Sequence, residues 1–361
     1  MKKIIAMLLA LTMVVALCAC GTTAAPAAET APAEAPAEAP AEAPAAPQET
    51  ILIRMGHTGN ETCMMQKGYE VFKEYVEANS NGVFQVEIYP NGQLGNDSEH
   101  VVAVQNGDLE VIGINNGYLT SFMPANSIFA MPFAFKNQDI AYAVLESDWG
   151  QMMLDNLEAG CNLKGLGYID SFAYRELTAN KEIHSVAEMK GLKIRVMSNP
   201  IHIAIWESLG ANPTAIPFSE LYTALQQKTV DAQENPFENI VTARLYEVQK
   251  YIMLTNHVYT TGMLVANPAW FNGLSADLQQ VVLDGAKAAY DFQKEAFAKD
   301  LDSYMKTCTD AGVEIITLSN EELDAFQKMC QPAVDLIVEE VGQELVDSFY
   351  AAVAEAEATF G

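Results

Sequence analysis

Apolar positions along this chain repeat with two different periods, and each switch between them marks a new element. Ile51-Leu52-Ile53-Arg54-Met55-Gly56 reads as a strand closed by a glycine, with His57-Thr58-Gly59-Asn60-Glu61 as its exit loop. Met64, Met65, Gly68, Tyr69, Val71, Phe72, Tyr75 and Val76 then recur at helical spacing up to Asn81-Gly82. Phe84 to Tyr89 alternates as a second strand, closed by Pro90, and Val101, Val102 and Val104 give the following helix an inner face. Leu109 to Ile114 predicts a third strand, ending in Asn115-Asn116-Gly117-Tyr118. A β-α-β-α-β order of this kind predicts a parallel or mixed sheet with helices on both faces.

The pattern continues in the same α/β style. Ile140 to Leu157 predicts one helix, and Leu163 to Asp170 a strand that runs on through Leu177 into a second domain. Ser185-Val186-Ala187-Glu188 has the form of a capping box. Leu192 to Val196 predicts a short buried strand, Pro200 to Leu209 a helix, and Pro213 to Pro217 another short strand. Phe218-Ser219 opens a further helix, and Val230 to Pro236 predicts a strand with its exit loop. Tyr251 to Asn267 is strand-rich and returns towards the first domain. Ser275 caps a long helix reaching to Thr307, with Leu278, Val282, Ala286, Ala289, Gln293, Ala296 and Leu301 near one side. Gly312 to Leu318 is a last strand, and Ser319-Asn320-Glu321-Glu322 a second capping box, for the C-terminal helices. A chain that crosses between two α/β lobes more than once leaves a cleft between them, where small ligands bind. Closure of the lobes about the crossing strands is the expected motion.

The N-terminal residues change the picture. Lys2 and Lys3 precede an apolar run, Ile4 to Leu17, that is too short to span a membrane as a mature helix. Leu17-Cys18-Ala19-Cys20-Gly21 resembles the bacterial lipoprotein box, which implies cleavage before Cys20 and a lipid on its sulfur. The alternative is an ordinary secretory signal cut after a small residue, and both put the mature chain outside the cytoplasm. Residues 22 to 49 are Ala, Pro, Glu and Thr in near-repeats of Ala-Pro-Ala-Glu, with no large apolar side chain to offset the cost of ordering. They read as an extended tether with a reach of at most about 90 Å. The expected organisation is signal and lipobox at 1–20, tether at 21–49, lobe I at 50–172 plus about 262–300, and lobe II at 173–261 plus about 301–361.

The formal net charge of −27 disfavours nucleic acid and anionic lipid surfaces as partners. It also offers no long-range steering of small anions, so any anion capture has to be local. Cys63, Cys161, Cys308 and Cys330 match no metal spacing; Cys308 with Cys330 is one conceivable disulfide, and free buried thiols are the other reading. His57, His100, His184, His202 and His257 are scattered without ligand spacing, and no metal or cofactor is expected. There is no Gly-x-Ser-x-Gly elbow, no His-Glu-x-x-His and no phosphate loop, so an enzyme is not expected, with a hydrolase of organic acids as the remote alternative.

The chain has only four arginines: Arg54, Arg175, Arg195 and Arg244. Arg195 sits inside the apolar run Leu192 to Val196, where an isolated charge is costly unless paired. Its partner is either a structural carboxylate or a bound anion, and the planar guanidinium suits a bidentate hold on a carboxylate.

The run from Arg175 through Lys190-Gly191-Leu192-Lys193-Ile194-Arg195, Leu209-Gly210-Ala211, Pro217-Phe218-Ser219-Glu220-Leu221-Tyr222-Thr223-Ala224-Leu225-Gln226 and Val230-Asp231-Ala232-Gln233-Glu234-Asn235-Pro236 resembles the solute-binding proteins of TRAP transporters, the DctP-like family. The match is densest over residues 168 to 270, with weaker echoes at Gly92-Gln93-Leu94-Gly95 and Pro132-Phe133. The resemblance implies a two-lobe periplasmic-binding-protein-like α/β fold with an interlobe ligand cleft and a long helix spanning the lobes. It implies that Arg195 pairs bidentately with a substrate carboxylate, that Arg175 is a second basic residue at the cleft, that Asn235 also holds the carboxylate, and that Phe218 is an aromatic wall. The partners implied are a small organic acid and two membrane subunits, one small and one large. Strand ends face the cleft in such sheets, so His57, Thr58, Asn60, Asn115 and Asn116 are the first lobe's candidates. Phe172, Tyr174, Met197 and Ser198, beside the two arginines in sequence, are candidates for shaping specificity. An ABC-type binding lipoprotein and a ligand-sensing receptor partner are the competing binding readings.

Overall fold

The computed structural model describes residues 50–361, apart from the side chains of Asp170, Ser171 and Ala298. The leader with Cys20 and the tether at 21–49 therefore lie outside the described residues. In chain order the first elements are β1 (Ile51–Gly56), α1 (Met64–Asn79), β2 (Phe84–Tyr89), α2 (Asp97–Asn106), β3 (Val111–Asn115), α3 (Asn116–Leu119), a 3-10 segment (Pro124–Ala130), α4 (Gln138–Leu145) and α5 (Asp148–Cys161). Then come β4 (Lys164–Tyr174), β5 (Glu176–Ala179), β6 (Lys193–Val196), α6 (Pro200–Ser208), β7 (Asn212–Ala215), α7 (Leu221–Gln226), β8 (Ala232–Asn235), α8 (Phe237–Thr242), β9 (Tyr251–Leu254) and β10 (Tyr259–Ala266). The chain ends with α9 (Pro268–Asn272), α10 (Ala276–Asp310), β11 (Glu314–Thr317), α11 (Asn320–Met329), α12 (Gln331–Val341) and α13 (Gln343–Phe360).

The strands form three hydrogen-bonded groups among the described residues. β1 and β2 pair in parallel, whereas β3 joins β10 and β4 in an antiparallel group, so the three N-terminal strands do not share one ladder as their order suggested. The third group is a mixed sheet in the order β11-β9-β5-β8-β6-β7. Two antiparallel strands pass between the second and third groups side by side. β4 leads into β5 through Arg175, and β9 leads into β10 through residues 255–258, with the Arg175 N–H donating to Val258 O at 2.9 Å. A third crossing is α10, whose 35 residues pack on α1 and β4 at one end and on α8 and β11 at the other.

Local chemistry explains most of the boundaries. Ser275 accepts from the Leu278 N–H and starts α10, and Val282, Ala286, Ala289 and Gln293 form its buried face; Leu301 lies exposed. The α1–α10 contact is close because a Cβ at Gly68 would stand 2.5 Å from Gln293 Nε2. The single helix expected over 140–157 is two helices, because Ser147 turns out and caps α5 by accepting from the N–H groups of Trp149 and Gly150. Ser185 makes no capping bond; the Glu188 carboxylate accepts from the His184 N–H instead. Ser319 does cap α11, but Glu322 reaches across to the Val186 N–H rather than closing a box. Cys63, Cys161, Cys308 and Cys330 are buried, and Cys308 and Cys330 are not bridged. The last helix, α13, packs on α4 and α5.

Phe172 is completely buried between Tyr142, Tyr290 and Phe297, with ring centroids 5.8, 5.3 and 6.3 Å away, all edge-on. It joins β4 to α4 and α10. Phe172→Ala is expected to destabilise the mature chain by about 3–5 kcal/mol, through lost transfer energy and the cavity left behind. Denaturant unfolding of the variant against wild type measures this.

Candidate functional site

Successive residues of a strand point to opposite faces, and the chain uses this at the crossing. Arg175 lines a polar cavity of about 210 Å³, while Tyr174 and Glu176 on either side of it line a separate, apolar one of about 160 Å³. The polar cavity lies between elements of the two halves. One side brings His57, Thr58, Asn60, Asp97, Asn115 and Tyr118, and the other brings Arg195, Met197, Phe218, Asn235, Glu238 and Thr242.

Parallel pairing of β6 with β7 and β8 sets Arg195 opposite Thr214 and Gln233, in the interior of the large sheet. The side chain is 1% exposed. Its Nε donates to Ile216 O at 2.8 Å, its Nη2 to the Tyr118 hydroxyl at 3.4 Å, and its Cζ lies 5.9 Å from the centre of the Phe218 ring. All of these partners are neutral. The other three arginines each hold a carboxylate: Arg54 takes Glu110, Arg244 takes Glu247 and Arg175 takes Glu234. Among the described residues, Arg195 is the arginine without one.

Arg175 reaches the cavity as expected, but its charge is compensated. Its Nε and Nη2 grip the Glu234 carboxylate as a fork, Nη2 also donates to Asn235 Oδ1 at 3.0 Å, and Nη1 donates to Thr260 Oγ1 at 3.3 Å. The partner is therefore Glu234, one strand away, and not the adjacent Glu176. His257 Nε2 stands 3.1 Å from the same carboxylate and His202 Nδ1 3.4 Å from it. Burial pushes the Glu234 carboxyl up, but the charges and hydrogen bonds of Arg175, His202 and His257 outweigh it and hold the group well below the usual carboxylate range. Asn235 is fixed in turn, its amide donating to Gln233 Oε1 at 2.5 Å.

His57 is buried after β1, with Nε2 at 2.8 Å from Gln66 Oε1, and burial lowers its pKa, so it is neutral. Asn115 ends β3 and accepts from the Gly117 N–H, which starts α3 and aims Tyr118 at Arg195. Several contacts join the two sides, among them the following. Asn60 Nδ2 donates to Thr242 O at 2.5 Å, the Met64 N–H to Glu238 Oε1 at 2.9 Å, Asn199 Nδ2 to Gly117 O at 3.0 Å, and Arg195 to Tyr118.

Of the residues expected at the cleft, His57, Thr58, Asn60, Asn115, Arg175, Arg195, Met197, Phe218 and Asn235 come together around this cavity. Phe172 and Ser198 do not: Phe172 is core, because β4 turns it towards α4 and α10, and Ser198 is exposed at the exit of β6. Tyr174 faces the apolar cavity and Asn116 is buried on Thr261. Sequence reasoning missed Tyr118, Asp97, Glu234 and Glu238. A tyrosine two residues past a strand-ending Asn pair was the one available signal for Tyr118; the other three are carboxylates with nothing local to distinguish them from a surplus.

A two-lobed α/β body over a polar cavity, holding an arginine with no carboxylate partner among the described residues, has the form of a small-solute binding protein. Comparison with known proteins agrees. Residues 55–340 match the model of the family described as bacterial extracellular solute-binding protein, family 7 (DctP). The 2,3-diketo-L-gulonate-binding periplasmic protein YiaO of Escherichia coli is 32% identical over 298 residues, 79% of this chain and 90% of its own. The C4-dicarboxylate-binding periplasmic protein DctP of Rhodobacter capsulatus is 31% identical over 312 residues, 85% of this chain and 92% of its own. Among solved structures, the sugar acid binding protein DctPAm of Advenella mimigardefordensis, in complex with galactonate, matches with a TM-score of 0.82 at 32% identity, over 86% of this chain and 99% of that one. The chain belongs to this family of solute-binding proteins and has its two-lobe fold.

Glu176 marks the crossing on the side away from the polar cavity. Burial pushes its carboxyl up to about 8, against backbone N–H groups of Asn256 and Thr255 that pull it down. The folded chain therefore holds this proton between roughly pH 4.5 and 8, where the unfolded chain has released it, and the stability from this group is lost as pH rises through that window. Glu176→Gln keeps an acceptor for both N–H groups and removes the titration. The variant is expected to lose less thermal stability than wild type between pH 5 and 8.5, read as the difference between two Tm profiles.

Proposed function

We propose that this chain is the extracytoplasmic receptor of a TRAP-type transporter: it captures a small organic acid between its lobes, closes on it and delivers it to a membrane permease of one small and one large subunit. The observation that carries the reading is Arg195, a buried guanidinium whose described partners are a carbonyl, a hydroxyl and an aromatic ring. A ligand carboxylate supplies the missing charge, held by the free edge of Arg195 with help from the Asn235 amide, with Phe218 as a wall and His57 and Asn115 on the facing side. Removing one member of such a buried pair typically costs about 3–5 kcal/mol, so ligand and closure are coupled.

Lobe I in this reading is residues 50–172 plus about 262–300, joined by α13, which packs on α4 and α5; lobe II is the remainder, 173–261 plus about 301–341. The hinge is the pair of strand crossings at Arg175 and residues 255–258. No described helix is long and apolar enough to cross a membrane. Attachment through a lipid on Cys20, with residues 21–49 as tether, keeps the receptor near its permease. The chain binds and releases its acid unchanged, without a cofactor.

The test is thermal unfolding of protein stripped of ligand by denaturation and refolding, against dicarboxylates, sugar acids, keto acids, aromatic acids and neutral sugars. A ligand at 100 times its dissociation constant adds about 2.7 kcal/mol of stability. A shift is expected from one class of carboxylate, and Arg195→Ala is expected to abolish it while circular dichroism stays native. Wild-type affinity in Arg195→Ala removes the anchor assignment, and shifts from neutral compounds alone remove the organic-acid reading.

A further inference from the structure

The charges that line the polar cavity restrict the ligand further, on the receptor reading just given. Among the described residues its lining contains two guanidiniums, Arg175 and Arg195, no lysine, and two carboxylates, Asp97 and Glu238. An arginine offers five N–H donors. Arg175 directs its Nε and Nη2 donors to Glu234 and Asn235 and one Nη1 donor to Thr260, which leaves at most one N–H for a ligand. Its positive charge is balanced inside the protein by Glu234. Arg195 uses Nε on Ile216 O and one Nη2 donor on Tyr118, so three N–H groups and a net positive charge remain, enough for a bidentate hold on one carboxylate.

We infer that the ligand is a polyhydroxylated monocarboxylate, an aldonate-like acid of roughly four to six carbons, and that the site discriminates against dicarboxylates. A second carboxylate in this cavity meets no further uncompensated cation among the described residues and shares the space with Asp97 and Glu238. Like charges placed together in a desolvated site cost several kcal/mol. Hydroxyl groups meet the opposite situation. Asp97 already accepts from the Thr58 hydroxyl, and Glu238 from the Met64 N–H and the Thr242 hydroxyl, so both present acceptors to donors rather than to anions. Amides and hydroxyls of Asn91, Asn115, Asn239, Ser219 and Tyr222 complete a wall suited to alcohols. The burial-depressed His57 is neutral and adds no cation. At about 210 Å³ the cavity exceeds the ~150 Å³ that admits benzene, so an acid of four to six carbons has room.

The test compares matched pairs that differ in one terminal group: D-erythronate with meso-tartrate, L-threonate with L-tartrate, D-gluconate with D-glucarate and D-galactonate with galactarate. Succinate, a keto acid and an aromatic acid complete the panel. Refolded full-length mature protein is titrated with each by calorimetry. At least one aldonate is expected to bind, with its dicarboxylate counterpart about a hundredfold weaker. Asp97→Asn is expected to narrow that ratio. A dicarboxylate that binds as tightly as its aldonate overturns the inference and leaves the receptor reading standing. So does binding of the keto or aromatic acid without any aldonate. Failure of every carboxylate to bind overturns the receptor reading and this inference together.

Discussion

A guanidinium buried in the interior of a sheet, with no carboxylate beside it among the described residues, is the constraint on which the rest of this molecule turns. Desolvating an arginine is expensive, and Arg175, which is buried as well, meets that cost with Glu234, whereas Arg54 is only half-buried beside Glu110 and Arg244 is exposed beside Glu247. Among the described residues Arg195 is supported by dipoles and an aromatic face. Part of that support comes from the opposite side of the cavity, through Tyr118. A closed arrangement that leaves a charge incompletely paired is stable in proportion to what else enters with it, which is how a receptor ties its motion to its ligand.

At Arg175 and its neighbours the cavity wall and the strand crossing are made of one segment. Between β4 and β5 the backbone of Arg175 bonds to Val258 in the adjacent crossing strand. Its side chain enters the polar cavity and the side chains before and after it enter the apolar one. Glu234 locks Arg175 from β8, with His257 on the same carboxylate. A buried polar network of this kind is stable only when every member is satisfied, so the crossing geometry and the orientation of the Arg175 donors are set together. Glu176, one residue on, caps the returning strand through the N–H groups of Thr255 and Asn256. The crossing is therefore a set of specific hydrogen bonds between two strands and not a loose linker.

Much of this was legible in the order of residues. The strand carrying Arg195 was visible as an apolar run with one charge in it, and the caps at Ser275 and Ser319 were visible because a hydroxyl accepts from an N–H three residues later. Signals of that sort are local, and local geometry carries them into the fold unchanged. The errors were of one kind. Ser147 splits a helix that periodicity alone ran together, and Glu322 leaves its own helix to reach Val186. Phe172, expected at the cleft from its place beside an arginine, is core, whereas Phe218, expected there from the resemblance, borders the cavity, because strand β4 turns Phe172 towards α10.

By itself the sequence determined the α/β class, the two-lobe order of elements, the long helix and Arg195 as the residue to explain, since each depends on spacing within a few turns or strands. Only the tertiary structure decided which charges are balanced. Glu234 and Arg175 are 59 residues apart and Tyr118 and Arg195 are 77 apart, and nothing in either neighbourhood announces the other. Charge pairing depends on distance in space, with an energy that falls off over a few ångströms, and that distance exists only once the chain has crossed between its lobes.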